Sequence, residues 1–294
     1  MSRRSRRVAT LLTVTMVCLG LLIGGGAWLV GTLRNTLAPG LSTGCTATVG
    51  DASYKLALDQ SQNASLITTL AVQRGMPARA ASIALATALQ ESRLRNIDYG
   101  DLDSIGLFQQ RPSQGWGSVD EIMDPVFSAN AFYDALAQVP GYVDMPVNDA
   151  AQIVQRSGYP HAYGKHEALS RAFASAMSGQ SSASLNCTLP TATSGSNPQL
   201  VISAAQAAVG LFDATTTVNE AGTLVHVPVS PSHGWIVANW ALANAQQFGI
   251  VEVSHAGQTW DRSANTDGRN VGWQTGGSAA PEQVAIQLAP ATQS

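Results

Sequence analysis

The sequence predicts an α+β protein, in which a mostly α domain follows an N-terminal transmembrane helix and a small α+β domain comes last. Three observations predict this architecture. An uncharged, mostly apolar run, Val8–Val30, follows four arginines. Apolar residues then recur every three or four positions between residues 63 and 177, as on one face of a helix. From residue 200 onward, helical patterns alternate with short β-branched runs.

The apolar run Val8–Val30 predicts a membrane anchor. Its length corresponds to roughly 35 Å of helix, enough to cross a bilayer core of about 30 Å. The arginines precede it within residues 1–7 and only Arg34 follows closely, so the N-terminus is expected in the cytoplasm and the bulk of the chain outside the cell membrane. A cleaved signal peptide is the alternative, although its apolar region is usually shorter and ends in small residues. We favour a single-pass anchor.

The region beyond Arg34 is acidic, with 11 basic and 19 acidic residues. This balance argues against nucleic acid as a partner and favours an uncharged or amphoteric polymer such as a polysaccharide. A stretch of Ser, Thr, Gly, Asn and Pro without charge, 178–199, indicates a linker. The predicted segments are a spacer at 31–44, a first domain at 45–187, a linker at 188–199 and a second domain at 200–294.

Cys45 and Cys187 lie at the two ends of the first predicted domain. In an oxidising compartment they can pair, and a disulfide closing so long a loop adds on the order of 4–5 kcal/mol of stability. Two thiols that never meet are the alternative. Two cysteines have neither the number nor the spacing of a structural zinc site, so no metal is expected.

The helices and strands follow from local patterns. The first domain is predicted to be mostly α because no alternating strand pattern of useful length occurs in it. Its predicted helices are 63–74, one from Pro77 to the region of Glu91, one from Pro125, one capped by Asn148, and 166–177. The second domain is predicted to contain helices at 200–209 and 234–248 and strands at 224–229, 250–253 and 284–288.

Glu91 stands at the end of a helix that is apolar on nearly every face, RAASIALATALQ, which should therefore run through the core. Partial removal from water and the negative end of the helix dipole both raise the pKa of such a carboxyl group. An acid still protonated near neutral pH can protonate a departing sugar oxygen. Arg93 or Arg95 would lower this pKa by pairing with Glu91, but we expect both to face solvent.

The residues around Glu91 resemble the lysozyme-like superfamily, close to soluble lytic transglycosylases and goose-type lysozymes. The likeness rests on Glu91-Ser92, on Gly-Leu-Phe-Gln at 106–109 where the family has Gly-Leu-Met-Gln, and on QRSGYPHAYG at 155–164. It covers roughly residues 60–178. It implies an enzyme of the bacterial cell wall that cleaves the β-1,4 glycosidic bond of peptidoglycan without a cofactor.

The resemblance also implies roles for individual residues. Glu91 would be the general acid and then the base, and Ser92 would orient that carboxyl group or contact substrate. Gln109 would bind an N-acetyl or hydroxyl group, and Tyr163 would hydrogen-bond near the glutamate. Gly164 departs from the family, which usually has Asn there. Further residues expected to contact substrate in the same groove are Gln110, Arg111, Trp116 and Tyr159; Trp116 could equally be a half-buried core residue.

A second carboxylate decides between two reactions. Asp98, Asp101 and Asp103 lie on the loop after Glu91, and in a hydrolase one of them would activate water. In lytic transglycosylases, which lack a second acid, the muramic 6-hydroxyl attacks and gives a 1,6-anhydro product. The aspartates could instead form turns or bind a cation. We favour the transglycosylase slightly.

Residues 233–274 faintly resemble tail domains of wall proteins related to zinc D,D-peptidases, but no acidic partner follows His233. We therefore expect a non-catalytic domain, with His226 and His233 as ordinary polar residues and Trp235 and Trp240 in the core. Two alternatives remain for the whole protein. It could be a membrane-tethered wall-binding or scaffolding protein without activity, or an enzyme that serves a wall-remodelling or secretion machinery.

Overall fold

The computed structural model describes residues 43–210, 213–266 and 268–291. The predicted cytoplasmic tail, the membrane anchor 8–30 and nearly all of the spacer lie outside these residues. Within the described ranges, no helix combines the length and the apolar character that crossing a bilayer requires. The fold mixes helix and sheet, as the sequence predicts.

The first half of the chain is built from six helices within the described residues. They are α1 Leu58–Gln73, α2 Ala78–Ser92, α3 Val119–Met123, α4 Pro125–Ala137, α5 Val147–Gln155 and α6 Glu167–Met177. Proline sets two of the starts: Pro77 precedes α2, and Pro125 is the first residue of α4 after the capping side chain of Asp124. Eleven of the 15 residues of α2 are buried, so this helix is the centre of the helical layer.

A small antiparallel sheet, which the helical patterns do not predict, joins the two ends of this half. Its strands are β1 Gly44–Val49, β2 Ala52–Leu56 and β3 Leu185–Thr188, in the order β2-β1-β3. Cys45 lies opposite Cys187 in the pairing of β1 with β3, and the two form a disulfide across 142 residues. These strands contain few of the Val and Ile residues that mark β-branched runs elsewhere in the chain, which explains why local patterns do not predict them.

The second half contains a six-stranded antiparallel sheet with the order β4-β5-β9-β6-β7-β8. Its strands are β4 Thr215–Asn219, β5 Gly222–Pro228, β6 Ile250–His255, β7 Gln258–Asp261, β8 Gln274–Thr275 and β9 Gln283–Leu288. The helices are α7 Pro198–Val209, α8 Gly234–Ala243 and α9 Ala245–Phe248. All ten residues of α8 are buried, including Trp235 and Trp240, because it packs between this sheet and the helices of the first half.

The two halves contact each other extensively, and the segment between them is packed rather than free. The buried Asn239 side chain on α8 donates a hydrogen bond of 2.7 Å to the Ala176 carbonyl on α6. In the segment predicted as a linker, the backbone N–H of Leu189 donates to the Asn265 carbonyl, and that of Ser196 to the Phe248 carbonyl. All described residues belong to one compact unit.

Candidate active site

Helix α2 ends one residue after Glu91 because the backbone reverses there. Arg93 and Leu94 adopt left-handed conformations, with φ of 56° and 58°. Two side chains of α1 donate hydrogen bonds to this turn: the Gln60 amide donates to the Arg93 carbonyl at 2.8 Å, and the Asn63 amide donates to the Leu94 carbonyl at 2.7 Å. The two carbonyls of this turn are thus bonded to side chains of α1, which fixes the end of the helix that carries Glu91.

The Glu91 carboxyl group is partly buried and hydrogen-bonded by two side chains. The Tyr163 hydroxyl donates to Oε1 at 2.7 Å, and Gln155 supplies a further side-chain hydrogen bond. Burial raises the pKa of Glu91, and the two hydrogen bonds oppose it without cancelling it. The result is a carboxylic acid that keeps its proton to a higher pH than an exposed glutamate does.

The arginines near Glu91 do not pair with it. Arg95 forms an ion pair with Asp59 on α1, with Nε 2.6 Å from Oδ2. Arg93 is exposed at the end of the helix. The charges that would lower the pKa of Glu91 therefore point away from it, as the sequence predicts.

Tyr163 is held in place from two directions. Its side chain is buried, and burial followed by the hydrogen bond to Glu91 raises the pKa of its hydroxyl well above the usual range, so it remains a donor. The Asn148 Oδ1 accepts from the backbone N–H groups of Tyr163 and Gly164, at 3.2 Å each, and its amide donates to the Pro160 carbonyl at 2.8 Å. The sequence predicts that Asn148 caps α5. This prediction is wrong, because α5 starts directly after Pro146 and Asn148 is its second residue.

The Gly-Leu-Phe-Gln turn is tied to both α2 and α5. The Ser92 hydroxyl, which is buried, donates to the Leu107 carbonyl at 2.7 Å. The Gln155 amide donates to the Phe108 carbonyl at 2.9 Å, so this one side chain contacts both the turn and Glu91. Gly106 has a φ of 78°, and a Cβ there would lie 2.9 Å from the Ile122 carbonyl oxygen, so the turn requires glycine.

Gln109 braces the loop that carries the aspartates. Its amide donates to the carbonyls of Tyr99 and Gly106, at 3.3 Å each. Gly100 packs so closely against it that a Cβ would lie 1.9 Å from Oε1 of Gln109. The side chain is only partly buried, and its expected contact with an N-acetyl or hydroxyl group stays a prediction.

The other residues expected in the groove differ in how far their side chains are exposed to solvent. Gln110 is 2% exposed and donates to the Ser128 carbonyl on α4, so it faces the interior. Trp116 is half-buried and lines a groove of about 710 Å³ together with Gln155, Gln114, Val139 and Ile153; we name this the Trp116 groove. Tyr159 is 77% exposed, four residues before Tyr163.

The aspartates also differ. Asp103 accepts hydrogen bonds from Nε of Arg111 at 2.6 Å and from the backbone N–H of Ser113 at 2.8 Å. These contacts, the arginine first, hold the pKa of Asp103 far below its usual range. Asp98 and Asp101 are exposed on the same loop. Asp103 therefore acts as an anchor of the loop in this structure.

The sequence did not identify Gln155 and Asn148 as site residues. Both lie on α5. Gln155 contacts the Phe108 carbonyl and the Glu91 carboxyl group. Asn148 contacts the backbone of Tyr163, so the partners of both residues are distant along the chain. No local motif marks them; only the glutamine that opens the segment 155–164 could have drawn attention.

His226 and His233 have hydroxyl partners, whereas Nδ1 of the buried His255 lies 3.0 Å from the Gln283 carbonyl oxygen. His226 Nε2 lies 3.2 Å from the Thr217 hydroxyl, and His233 Nδ1 lies 2.7 Å from the Ser230 hydroxyl. Among the described residues, no group of three or more His, Cys, Asp or Glu side chains is placed to hold a metal ion.

No family model and no curated protein sequence matches this chain.

Proposed function

We propose that this protein cleaves the β-1,4 glycosidic bond of peptidoglycan glycan strands, with Glu91 as the general acid and then the general base. The proposal rests on one observation: the Tyr163 hydroxyl donates at 2.7 Å to a carboxyl group whose pKa burial raises. The motifs around it support a lysozyme-like assignment of residues 45–187. The anchor 8–30 would hold the enzyme on the outer face of the membrane, where it could serve a wall-remodelling or secretion machinery.

In the first step, protonated Glu91 donates its proton to the oxygen that links the two sugars. The bond from that oxygen to the anomeric carbon breaks, and its electron pair stays with the leaving sugar. Because Tyr163 donates to Oε1, Oε2 is the oxygen left to carry the transferred proton. The anomeric carbon then develops positive charge beside the newly formed Glu91 carboxylate.

In the second step, the carboxylate accepts a proton from the attacking hydroxyl. We favour the muramic 6-hydroxyl, whose oxygen bonds to the anomeric carbon and gives a 1,6-anhydro end. The contacts of Asp103 with Arg111 and Ser113 support this preference, because they hold the pKa of Asp103 far below its usual range and so make it a weak base for activating water. Attack by water would instead leave a reducing end.

The test is turbidity loss of cell-wall sacculi with the purified full-length chain. We expect Glu91→Gln to lower the rate by about 10²- to 10⁴-fold, the usual contribution of general acid–base catalysis. Glu220→Gln, the same change at an exposed position in the second half, is the matched control and should keep full activity.

Mass spectrometry of the released fragments identifies the reaction. Anhydro ends are expected, and reducing ends would assign a hydrolase. A wild-type chain that binds sacculi without releasing any fragment would replace the proposal by the non-catalytic wall-binding alternative.

A further inference from the structure

A second groove is formed mainly by strands and turns rather than by helices, and it lies between the small sheet and the β6–β7 hairpin. Its volume is about 650 Å³, and it shares no lining residue with the Trp116 groove. We name it the Trp273 groove. Its main lining residues are Thr46, Ser182, Asn186, Gln258, Trp235 and Trp273.

The chemistry of this groove is polar but uncharged. Its lining consists of hydroxyl groups, side-chain amides, small residues and two indoles. None of the described residues that line the groove has an acidic or basic side chain. A charged ligand would lose water here without gaining a counter-ion, which costs free energy. A neutral sugar offers hydroxyl groups to the amides and hydroxyls and apolar C–H faces to the indole rings.

Several polar groups in the groove are available to a ligand. The side chains of Thr46, Ser182 and Gln258 make no hydrogen bond to any other described residue. They come from three separate segments: strand β1, the turn before β3, and strand β7. A ligand in the groove could thus be bound from several sides at once.

Other groups in the groove are already fixed. The Trp273 Nε1–H donates to the Leu185 carbonyl at 2.8 Å, which leaves the ring surface rather than the N–H for contact with a ligand. Asn186 accepts from the Trp260 indole at 2.8 Å and donates to Asn265 at 3.0 Å. Trp235 packs edge-to-face against Trp273, with ring centroids 5.1 Å apart. Fixed groups lose little freedom on binding.

Two alanines of the lining have unusual backbones. Ala183 and Ala256 adopt left-handed conformations, with φ of 48° and 49°. Such conformations cost free energy for a residue with a Cβ and concentrate at functional sites. At Ala256 the two-residue turn of the β6–β7 hairpin requires this conformation, so the left-handed backbone fixes the edge of the groove.

We propose that the Trp273 groove binds a neutral saccharide, such as N-acetylhexosamine units of a glycan strand, independently of cleavage at Glu91. This assigns a glycan-binding role to a defined site that the small sheet and the second half build together. A free stem peptide is the less favoured occupant, because its carboxylates and amines would find no counter-charge in the lining.

The test measures binding of chitotetraose to the full-length chain by calorimetry. The starting protein carries two substitutions: Glu91→Gln prevents cleavage, and Trp116→Ala lowers the affinity of the sugar for the Trp116 groove. We expect one binding event in this protein. Adding Trp273→Ala should weaken it at least about tenfold, and adding Gln258→Ala about two- to tenfold, as for loss of one hydrogen bond.

Gln258→Ala keeps the proposal testable if Trp273→Ala fails to fold, because the Gln258 side chain is half-exposed and supports no other residue. Absence of binding in the starting protein, or unchanged affinity in the folded variants, would overturn the site. Binding of a stem pentapeptide instead of the sugar would reassign it to peptide. Wild-type cleavage of sacculi is measured separately, so failure of the catalytic proposal is distinguishable.

Discussion

The Glu91 site and the Trp273 groove differ in how their side chains are arranged and in the chemistry that each arrangement supports. At Glu91, helix ends and a loop place the side chains of Tyr163 and Gln155 against one carboxyl group. In the Trp273 groove, strands and turns spread uncharged groups over a wide surface. Proton transfer depends on one acid with a shifted pKa, whereas recognition of a neutral ligand depends on many weak contacts. The comparison predicts different responses to substitution in the two regions.

The largest effect is expected from removing the disulfide. Replacing Cys45 and Cys187 by serine should lower the free energy of unfolding by about 2–5 kcal/mol, because the long loop between them is no longer closed in the unfolded chain. The Trp273 groove should also lose affinity, since Thr46 and Asn186 lie on the two strands that the bond joins. Denaturant unfolding and chitotetraose calorimetry measure the two effects. Equal losses of binding and of cleavage in the folded variant would remove the distinction between the regions.

Tyr163→Phe comes next and tests the Glu91 site alone. The ring still fills its buried position, but the carboxyl group loses its donor, so cleavage should fall by about tenfold or more. Because that hydrogen bond lowers the pKa of Glu91, its loss should move the alkaline limb of the pH–rate profile to higher pH. A purely structural role for Tyr163 would change the rate and leave the limb in place.

The stability of the protein should depend on pH through Glu91. Its pKa is higher in the folded chain than its ordinary value of 4.5, so the folded state becomes less stable as pH rises from about 4.5 through the folded pKa. Glu91→Gln removes this ionisation and keeps an acceptor for Tyr163. The variant should therefore melt at a higher temperature than the wild type at pH 7, and the difference should shrink towards pH 4. A melting temperature below that of the wild type at pH 7 would contradict the burial argument.

The smallest effect is expected for Asp103→Asn. The loop loses its ion pair with Arg111, but a transglycosylase needs no second carboxylate, so cleavage should fall by less than about tenfold. Asp101→Asn, on the same loop and without an ion pair, is the control. A loss at Asp103 as large as at Glu91 would assign the second carboxylate of a hydrolase to it.

Local patterns predicted the helices well and the site only in part. The start of α2 directly after Pro77, its burial and the position of Glu91 near its end follow from composition and period. The patterns do not predict the small sheet, because its strands contain few Val or Ile residues and because β1 pairs with β3 across 142 residues at the disulfide. They also placed Gln110 in the groove, whereas its amide binds a carbonyl of α4 in the interior.

The sequence by itself determined that an acid stands at the end of a buried helix, because period, proline and apolar composition act over a few residues. Tertiary structure alone decided that Tyr163 reaches this acid across 72 positions, and that Gln155 and Asn148 complete the arrangement. It also decided that residues of β1, β3 and β7 share one uncharged groove. Such contacts depend on how distant elements pack, and no local pattern of side chains encodes that packing.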